Sequence, residues 1–188
     1  GDTSTNDCAI VMANGQAGNV PIELTDAQFP LFQEALSYVC VELAKKMARD
    51  GEGATKLLTC TVQGAGSEEG AEKLAKAVIA SSLVKTAMFG ADANWGRILC
   101  ALGYAGVDFD ASTANISFIS RAGEILLCQS GEAIDSDEGL AKKILLEEEV
   151  EILIALEQNN CPLGPYTLSA WGCDLSYEYV KINGDYRS

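Results

Sequence analysis

Two apolar runs that flank a short turn constrain the fold most strongly. Residues 115–120 and 124–129 lie on either side of Arg121-Ala122-Gly123. Two such runs joined by a glycine-containing turn predict an antiparallel β-hairpin. Because helical patterns cluster in the rest of the chain, the hairpin favours an α/β fold with a layered sheet and helices over a doubly wound parallel sheet.

Periodic apolar positions predict the helices. The strongest pattern starts at Thr25, where 25–28 has the spacing of a capping box, and its apolar positions recur on one face down to Met47. A short buried helix is predicted over 3–14, where polar capping residues pass into an apolar run that Asn14-Gly15 closes. Further helices are predicted over 67–82, over 95–102, from the cap Asp137 to Leu145, and from 174 toward the polar tail.

Three more strands complete the predicted elements. They cover 56–62, 149–157 and 166–172, and a loop containing proline and glycine separates the last two. The sequence contains no internal repeat, no low-complexity segment and no linker long enough to divide it. We therefore expect one α/β domain over residues 1–188.

Composition excludes several classes of function. The chain carries 13 basic and 27 acidic residues, a net charge of −14, which argues against nucleic acid as a partner. It has no histidine and no two cysteines at CxxC spacing, so the usual zinc site and any Ser-His or Cys-His catalytic pair within this chain are excluded. We expect no metal ion and no membrane span, since no apolar run approaches about 20 residues. The seven cysteines, an odd number, predict reduced thiols in a cytosol.

Two glycine-marked loops carry the candidate chemistry. In Arg49-Asp50-Gly51-Glu52-Gly53-Ala54-Thr55-Lys56 the glycines free the backbone around one carboxylate, which fits either a binding loop or an ordinary turn with a solvated glutamate. The second loop, Phe89-Gly90-Ala91-Asp92-Ala93-Asn94-Trp95-Gly96-Arg97, fits a binding lip or a braced turn in which Asp92 pairs with Arg97. We favour a structural role for this loop, with Asn94 capping the following helix.

The two ends of the chain are polar. Residues 2–7 fit a ligand-holding segment or, more simply, a helix cap, and residues 177–188 have the composition of a frayed terminus. Taken with both loops and with Trp171-Gly172-Cys173-Asp174, these ends resemble the arginine-biosynthetic ornithine acetyltransferase (glutamate N-acetyltransferase) family at five ordered places. The opening run also suggests a chain cut from something longer, which the resemblance identifies as the C-terminal part of the family's β-chain.

The resemblance implies specific residue roles. The glutamate of the family's DGEGATK-like motif contacts the amino-acid substrate, which carries onto Glu52. In the family's closing YVxINADYRT motif the asparagine and the final hydroxyl residue reach into the substrate site, which carries onto Asn183 and Ser188. This chain departs from that motif with Gly184 for alanine and with serine for threonine at its end. No catalytic residue is expected in this chain, because the nucleophilic threonine, which is neither Thr3 nor Thr5, lies upstream with the oxyanion hole.

The resemblance also implies the reaction and the assembly. The fold would be that of the threonine-nucleophile, self-processing acetyltransferases. Acetyl would pass from N-acetylornithine to glutamate through an acetyl-threonine ester, with no metal or dissociable cofactor, although some members also use acetyl-CoA as donor. The partners would be an upstream α-chain and the N-terminal part of the β-chain, in a heterotetramer of two α- and two β-chains. The compartment would be the cytoplasm, or the mitochondrial matrix in a eukaryote.

Two other functions stay open from the sequence. A relative of the threonine-nucleophile aminopeptidases would share the architecture but hydrolyse its acyl-enzyme. An independent small-molecule-binding module would fold and bind without a partner chain. Exposed apolar surface would favour a fragment of a larger enzyme over the independent module.

Overall fold

A single mixed sheet organises the protein. The computed structural model describes residues 8–156 and 166–185, and its six strands lie in the order β4-β3-β2-β5-β1-β6. The strands are β1 (Leu57–Ala65), β2 (Ala114–Ser120), β3 (Gly123–Gln129), β4 (Glu132–Ala133), β5 (Glu149–Leu156) and β6 (Tyr166–Cys173). The helices are α1 (Phe29–Arg49), α2 (Glu68–Ala80), α3 (Ser82–Phe89), α4 (Trp95–Gly103), α5 (Glu138–Leu145) and α6 (Tyr177–Gly184).

The strand directions confirm the predicted layered α/β arrangement. The hairpin is present, because β2 pairs antiparallel with β3, and Ser120 lies opposite Gly123. Within the described sheet only β1 and β5 run parallel, while every other neighbouring pair is antiparallel. A doubly wound sheet would be built mainly from parallel neighbours, so this mixed order excludes it.

One face of the sheet forms the core. Successive side chains of a strand point to opposite faces, so Leu58, Cys60 and Val62 of β1 lie on the same face and are all fully buried. Helices α2 and α5 pack against the sheet, and α3 and α4 pack against α2. The other fully buried side chains of this core include Leu74, Val78, Met88, Ile98, Leu102, Ile116, Phe118, Ile144, Leu145, Ile152 and Ile154.

Helix α1 lies against the opposite face of the sheet at its β6 edge. The ammonium of Lys45, in α1, lies 5.8 Å from the centre of the Trp171 ring. The neighbours of Trp171 in β6, Ala170 and Gly172, are buried on the core side, so Trp171 faces the other side of the sheet. Gly172 packs against Ile79 of α2, so α1 and α2 sit on opposite sides of β6. No residue of α1 is buried.

The predicted helix over 3–14 is wrong for the part that the structure describes. Residues 8–14 contain no helix, and Ile10, Val11 and Met12 are 75%, 88% and 90% exposed. A helix of about 12 residues is marginal in water unless its apolar face packs against something. Here the apolar side chains of 10–12 are largely exposed among the described residues, so the local apolar pattern alone does not stabilise a helix.

Two other helix boundaries differ from the prediction. Helix α1 begins at Phe29 rather than at Thr25, with a proline in its first turn, and its N-cap Gln28 makes no side-chain capping bond. The helix predicted over 67–82 is present as α2, and it ends at Ala80 because Ser81 has an extended ψ of 113°. The Ser81 side chain accepts from Val84 N and so begins α3, which the sequence did not predict.

Candidate functional site

The loop between α1 and β1, residues 50–56, packs against the end of β6 and the start of α6. Gly53 has a φ of +66°, a left-handed conformation that favours glycine. A Cβ added to Gly53 would lie 2.7 Å from Tyr179 N and 2.9 Å from Glu178 Cβ. A Cβ on Gly51 would lie 2.8 Å from Cys173 Sγ. Gly53 is therefore required by its backbone conformation and by the close approach of α6, whereas the close contact at Gly51 is only with a side chain, and Glu52 is exposed between them.

Glu52 and Asn183 meet, although they are 131 positions apart. Asn183 Nδ2 donates to Glu52 Oε2 at 2.7 Å and to the Tyr179 carbonyl, one turn back along α6, at 3.0 Å. Both side chains are exposed, and no lysine or arginine within 8–156 and 166–185 forms an ion pair with Glu52. The structure thus joins two of the three predicted substrate-binding residues into one surface site, whose carboxylate has no cationic partner in the part of the chain that the structure describes.

The third predicted residue, Ser188, and the polar opening run 1–7 lie outside the described residues. Their predicted roles stay predictions.

Two residues that the sequence analysis did not single out hold this site together. The Asp174 carboxylate, 3% exposed, accepts from Thr55 N at 2.7 Å, from Thr55 Oγ1 at 2.5 Å and from Lys56 N at 3.0 Å. Ser176 Oγ donates to the Gly53 carbonyl at 2.6 Å. No local sequence pattern could have predicted these hydrogen bonds, because the partners of Asp174 and Ser176 lie about 120 positions away in the chain. The only sequence signal for Asp174 was its place at the end of Trp171-Gly172-Cys173-Asp174, one of the stretches that resemble the family.

The second glycine-marked loop has the structural role that we favoured. Asn94 caps α4 by accepting from Arg97 N at 3.2 Å. Arg97 does not pair with Asp92, because its Nη1 donates to the Leu83 carbonyl at 2.9 Å and so ties α4 to α3. Asp92 instead accepts from Asn94 Nδ2 at 3.2 Å.

Two clefts of the described chain lie away from Glu52. One, of about 450 Å³, is lined by 64–67 at the end of β1 and by 107–110. The other, of about 370 Å³, is lined by 91–93 and by the first turns of α5. Glu52 and Asn183 line neither of these two clefts, and both residues are exposed.

The part of the chain that the structure describes contains neither a candidate metal site nor a candidate membrane-spanning helix. Within 8–156 and 166–185, no three Asp, Glu, Cys or His side chains are grouped so that they could hold a metal ion. None of the helices described there combines the length and apolarity needed to cross a bilayer. The six described cysteines are free thiols, while Cys161 lies outside the described residues.

Comparison with known proteins identifies relatives over the whole chain. The family model described as "ArgJ family" matches residues 1–188. The "Arginine biosynthesis bifunctional protein ArgJ" of Caldanaerobacter subterraneus subsp. tengcongensis is 50% identical over 188 residues, which are 100% of this chain and 45% of that protein. The "Glutamate N-acetyltransferase" of Methanopyrus kandleri is 47% identical over 188 residues, again 100% of this chain and 46% of that protein. The chain thus spans less than half the length of these curated relatives.

A solved structure shares the fold. The crystal structure of the arginine biosynthesis bifunctional protein argJ from Bacillus halodurans superposes with a TM-score of 0.86 at 42% sequence identity. The match covers 99% of this chain and 84% of that chain.

Proposed function

The chain belongs to the ArgJ family, and we propose that it is the substrate-binding part of an arginine-biosynthesis acetyltransferase. The enzyme moves acetyl from N-acetylornithine to glutamate through an acetyl-threonine intermediate. Acetyl-CoA is a second acetyl donor in this proposal, in keeping with the word "bifunctional" in the relatives' names. Residues 1–188 form one domain of that enzyme. The compartment, cytoplasm or mitochondrial matrix, stays a prediction.

The observation that carries the proposal is the hydrogen bond between Glu52 and Asn183. The acetyl group of N-acetylornithine occupies one of the molecule's two amines, so the other is its only ammonium group. A carboxylate with no cationic partner binds such a group by a charge-assisted hydrogen bond. Asn183 occupies one oxygen of Glu52, and the other stays available to the ligand. Ser188 adds a hydroxyl to the same substrate.

The chemical steps take place on residues outside this chain. The threonine hydroxyl attacks the acetyl carbonyl, the amide C–N bond breaks, and ornithine leaves with the proton that the hydroxyl loses. The amine of glutamate then attacks the ester, and the C–O bond breaks to restore the hydroxyl. Splitting the transfer in this way lowers each barrier. Glu52, Asn183 and Ser188 hold the amino acid in line for both attacks, and such positioning contributes several orders of magnitude in rate.

Exposed apolar surface supports the view that this chain is part of a larger assembly. Phe32, Leu36, Val39, Leu43 and Met47 follow one face of α1 at intervals of three and four residues, and each is 47–54% exposed. A stripe of this length on a soluble protein marks an interaction surface. It favours a fragment of a larger enzyme over the independent binding module.

Chain lengths point the same way. This chain covers 84% of the matched crystal chain but only 45% of the Caldanaerobacter relative. The crystal chain is therefore about half as long as that relative, which fits an enzyme that is cleaved into two chains. We include in the proposal that the companion α-chain and the threonine-bearing segment complete the open Glu52 site, in a heterotetramer of two α- and two β-chains.

The test uses the full-length enzyme and the variant Glu52→Gln, which keeps the shape of the side chain and removes its charge. A lost charge-assisted bond is worth about 1.5–3 kcal/mol, so KM for N-acetylornithine should rise roughly 10–100-fold while KM for glutamate changes less. Glu132→Gln, at an exposed glutamate of β4 near the far edge of the sheet, is the matched control and should behave as wild type.

Two outcomes would change the proposal. If Glu52→Gln and Glu52→Ala both leave the Michaelis constants and turnover unchanged, Glu52 does not contact the substrate. If the wild-type enzyme releases free acetate and transfers none to glutamate, the hydrolase alternative replaces the acetyltransferase.

A further inference from the structure

The segment between β6 and α6 touches both halves of the candidate site. Its three residues, Asp174, Leu175 and Ser176, follow the last residue of β6 and precede the first residue of α6. Asp174 and Ser176 are 3% and 6% exposed, and neither faces the surface on which Glu52 and Asn183 meet. The proposed function assigns no task to any of the three.

One end of the segment holds the loop that carries Glu52. The Asp174 carboxylate accepts three hydrogen bonds from two consecutive residues, Thr55 and Lys56, with donor–acceptor distances of 2.5–3.0 Å. Because hydrogen bonds to a charged group are shorter and stronger than neutral ones, this carboxylate fixes the backbone at the point where the loop enters β1. The loop is also closed on itself, since Ala54 N donates to the Gly51 carbonyl at 2.9 Å.

The other end of the segment joins that loop to the helix that carries Asn183. Ser176 is the N-cap of α6, and its Oγ accepts from Tyr179 N at 3.4 Å. The same oxygen donates its proton to the Gly53 carbonyl at 2.6 Å. A single hydroxyl therefore bonds the residue after Glu52 and the first turn of α6, which ends with Asn183 and Gly184.

The middle of the segment is anchored to the core. Leu175 N donates to the Lys85 carbonyl at 3.3 Å, and Lys85 lies in α3. Phe89 of the same helix meets the Tyr177 ring edge-on, with centroids 5.5 Å apart. The segment is thus held by the helical layer. Its hydrogen bonds join the loop that carries Glu52 to the helix that carries Asn183.

We propose that Asp174 and Ser176 are positioning residues that set the distance and angle between Glu52 and Asn183, an inference that rests on the proposed function. Asp174 holds the loop, and the Ser176 hydroxyl couples that loop to α6. Neither touches the substrate. Because the enzyme uses Glu52 in both the ground state and the transition state, loss of this coupling weakens binding more than it slows the chemical step.

The test is steady-state kinetics of the full-length enzyme with Ser176→Ala and Ser176→Thr. We expect Ser176→Ala to raise KM for N-acetylornithine about tenfold, with kcat changed less than about twofold, and Ser176→Thr to restore most of the loss because it keeps the hydroxyl. Ser67→Ala is the matched control, because Ser67 is also an N-cap serine but caps α2, beyond the end of β1 that lies away from the Glu52 loop. It should leave KM unchanged.

A double-mutant cycle separates positioning from a general structural role. If Ser176 acts through Asn183, then Ser176→Ala adds little to the KM of Asn183→Ala, whereas independent effects multiply. Wild-type KM for Ser176→Ala, an equal rise in Ser67→Ala, or full multiplication in the double variant would overturn the inference.

A second measurement decides the matter even if the enzyme proves not to transfer acetyl. Hydrogen exchange followed by mass spectrometry on the full-length protein needs no substrate. Ser176→Ala should speed amide exchange about tenfold in both 53–56 and 179–183, while Ser67→Ala leaves both segments as in wild type. Unchanged exchange in either segment would show that the hydroxyl does not couple them. Failure of the acetyl-transfer assay in wild type, by contrast, counts against the proposed function alone.

Discussion

Replacing Gly53 with alanine tests the close approach of the Glu52 loop to α6. Two costs add at this position. A left-handed φ of +66° costs a residue with a Cβ about 1–2 kcal/mol. The new Cβ would also lie 2.7 Å from Tyr179 N and 3.0 Å from the Glu178 carbonyl carbon, both backbone atoms, so no change of rotamer relieves the contact. Overpacking of this kind costs about 1–3 kcal/mol.

The sum, roughly 2–5 kcal/mol, corresponds to a fall of roughly 5–15 °C in the melting temperature of a domain of this size. Two other glycines separate the contributions. Gly106 has a φ of +68° with nothing within 4 Å of an added Cβ, so Gly106→Ala carries only the backbone cost. Gly184 has neither problem, and alanine there should be neutral or stabilising by about 0.5–1 kcal/mol.

The assay is thermal unfolding of the full-length enzyme, measured by scanning fluorimetry for the wild type and the three alanine variants. We expect Gly184→Ala to have the highest melting temperature of the three variants, Gly106→Ala an intermediate one and Gly53→Ala the lowest. A Gly53→Ala protein that melts within a degree of Gly106→Ala would refute the contact between the loop and α6. It would remove the structural basis for a shared Glu52–Asn183 site.

Two further predictions concern the core. Burial, and secondarily the nearby Glu151 carboxylate, raises the pKa of the Cys60 thiol far above its usual range. Iodoacetamide at pH 8, followed by peptide mass spectrometry, should therefore label the exposed Cys100 in the native protein and Cys60 only after denaturation. Labelling of Cys60 in the native protein would contradict its burial. A Cβ on Gly172 would overlap Ile79 Cγ2, so Gly172→Ala should lower the melting temperature, and by less when Ile79 is also replaced by alanine. An equal fall in melting temperature with and without Ile79→Ala would show that the two residues do not meet.

Local chemistry explains which elements the sequence could predict. The hairpin follows from two runs joined by a tight turn, and it forms with Gly123 at a φ of 136°. Helices α4 and α5 begin where Asn94 and Asp137 cap them. In each case the deciding contact joins residues no more than a few positions apart, so the pattern alone is sufficient.

Two features that the local pattern could not decide depend on packing: whether residues 8–14 form a helix, and whether α1, which was predicted, is buried. Residues 8–14 have an apolar pattern, but the other described residues do not bury it, and 8–14 form no helix. Helix α1 has the predicted stripe, yet none of its residues is buried, because the stripe faces away from the sheet. Whether an amphipathic pattern becomes a buried helix is decided by a partner surface that the pattern does not contain.

The candidate site divides in the same way. By itself, the sequence determined the chemistry: a carboxylate between two glycines, an amide near the end of the chain, a resemblance that assigned substrate contact to both, and a composition that excluded histidine chemistry. Only the tertiary structure decided that Glu52 and Asn183 share a hydrogen bond and that Asp174 and Ser176 hold the elements that carry them. The physical reason is that these contacts close loops of more than 100 residues. Their geometry is set by the register of β1 against β6 and not by any neighbouring residues in the chain.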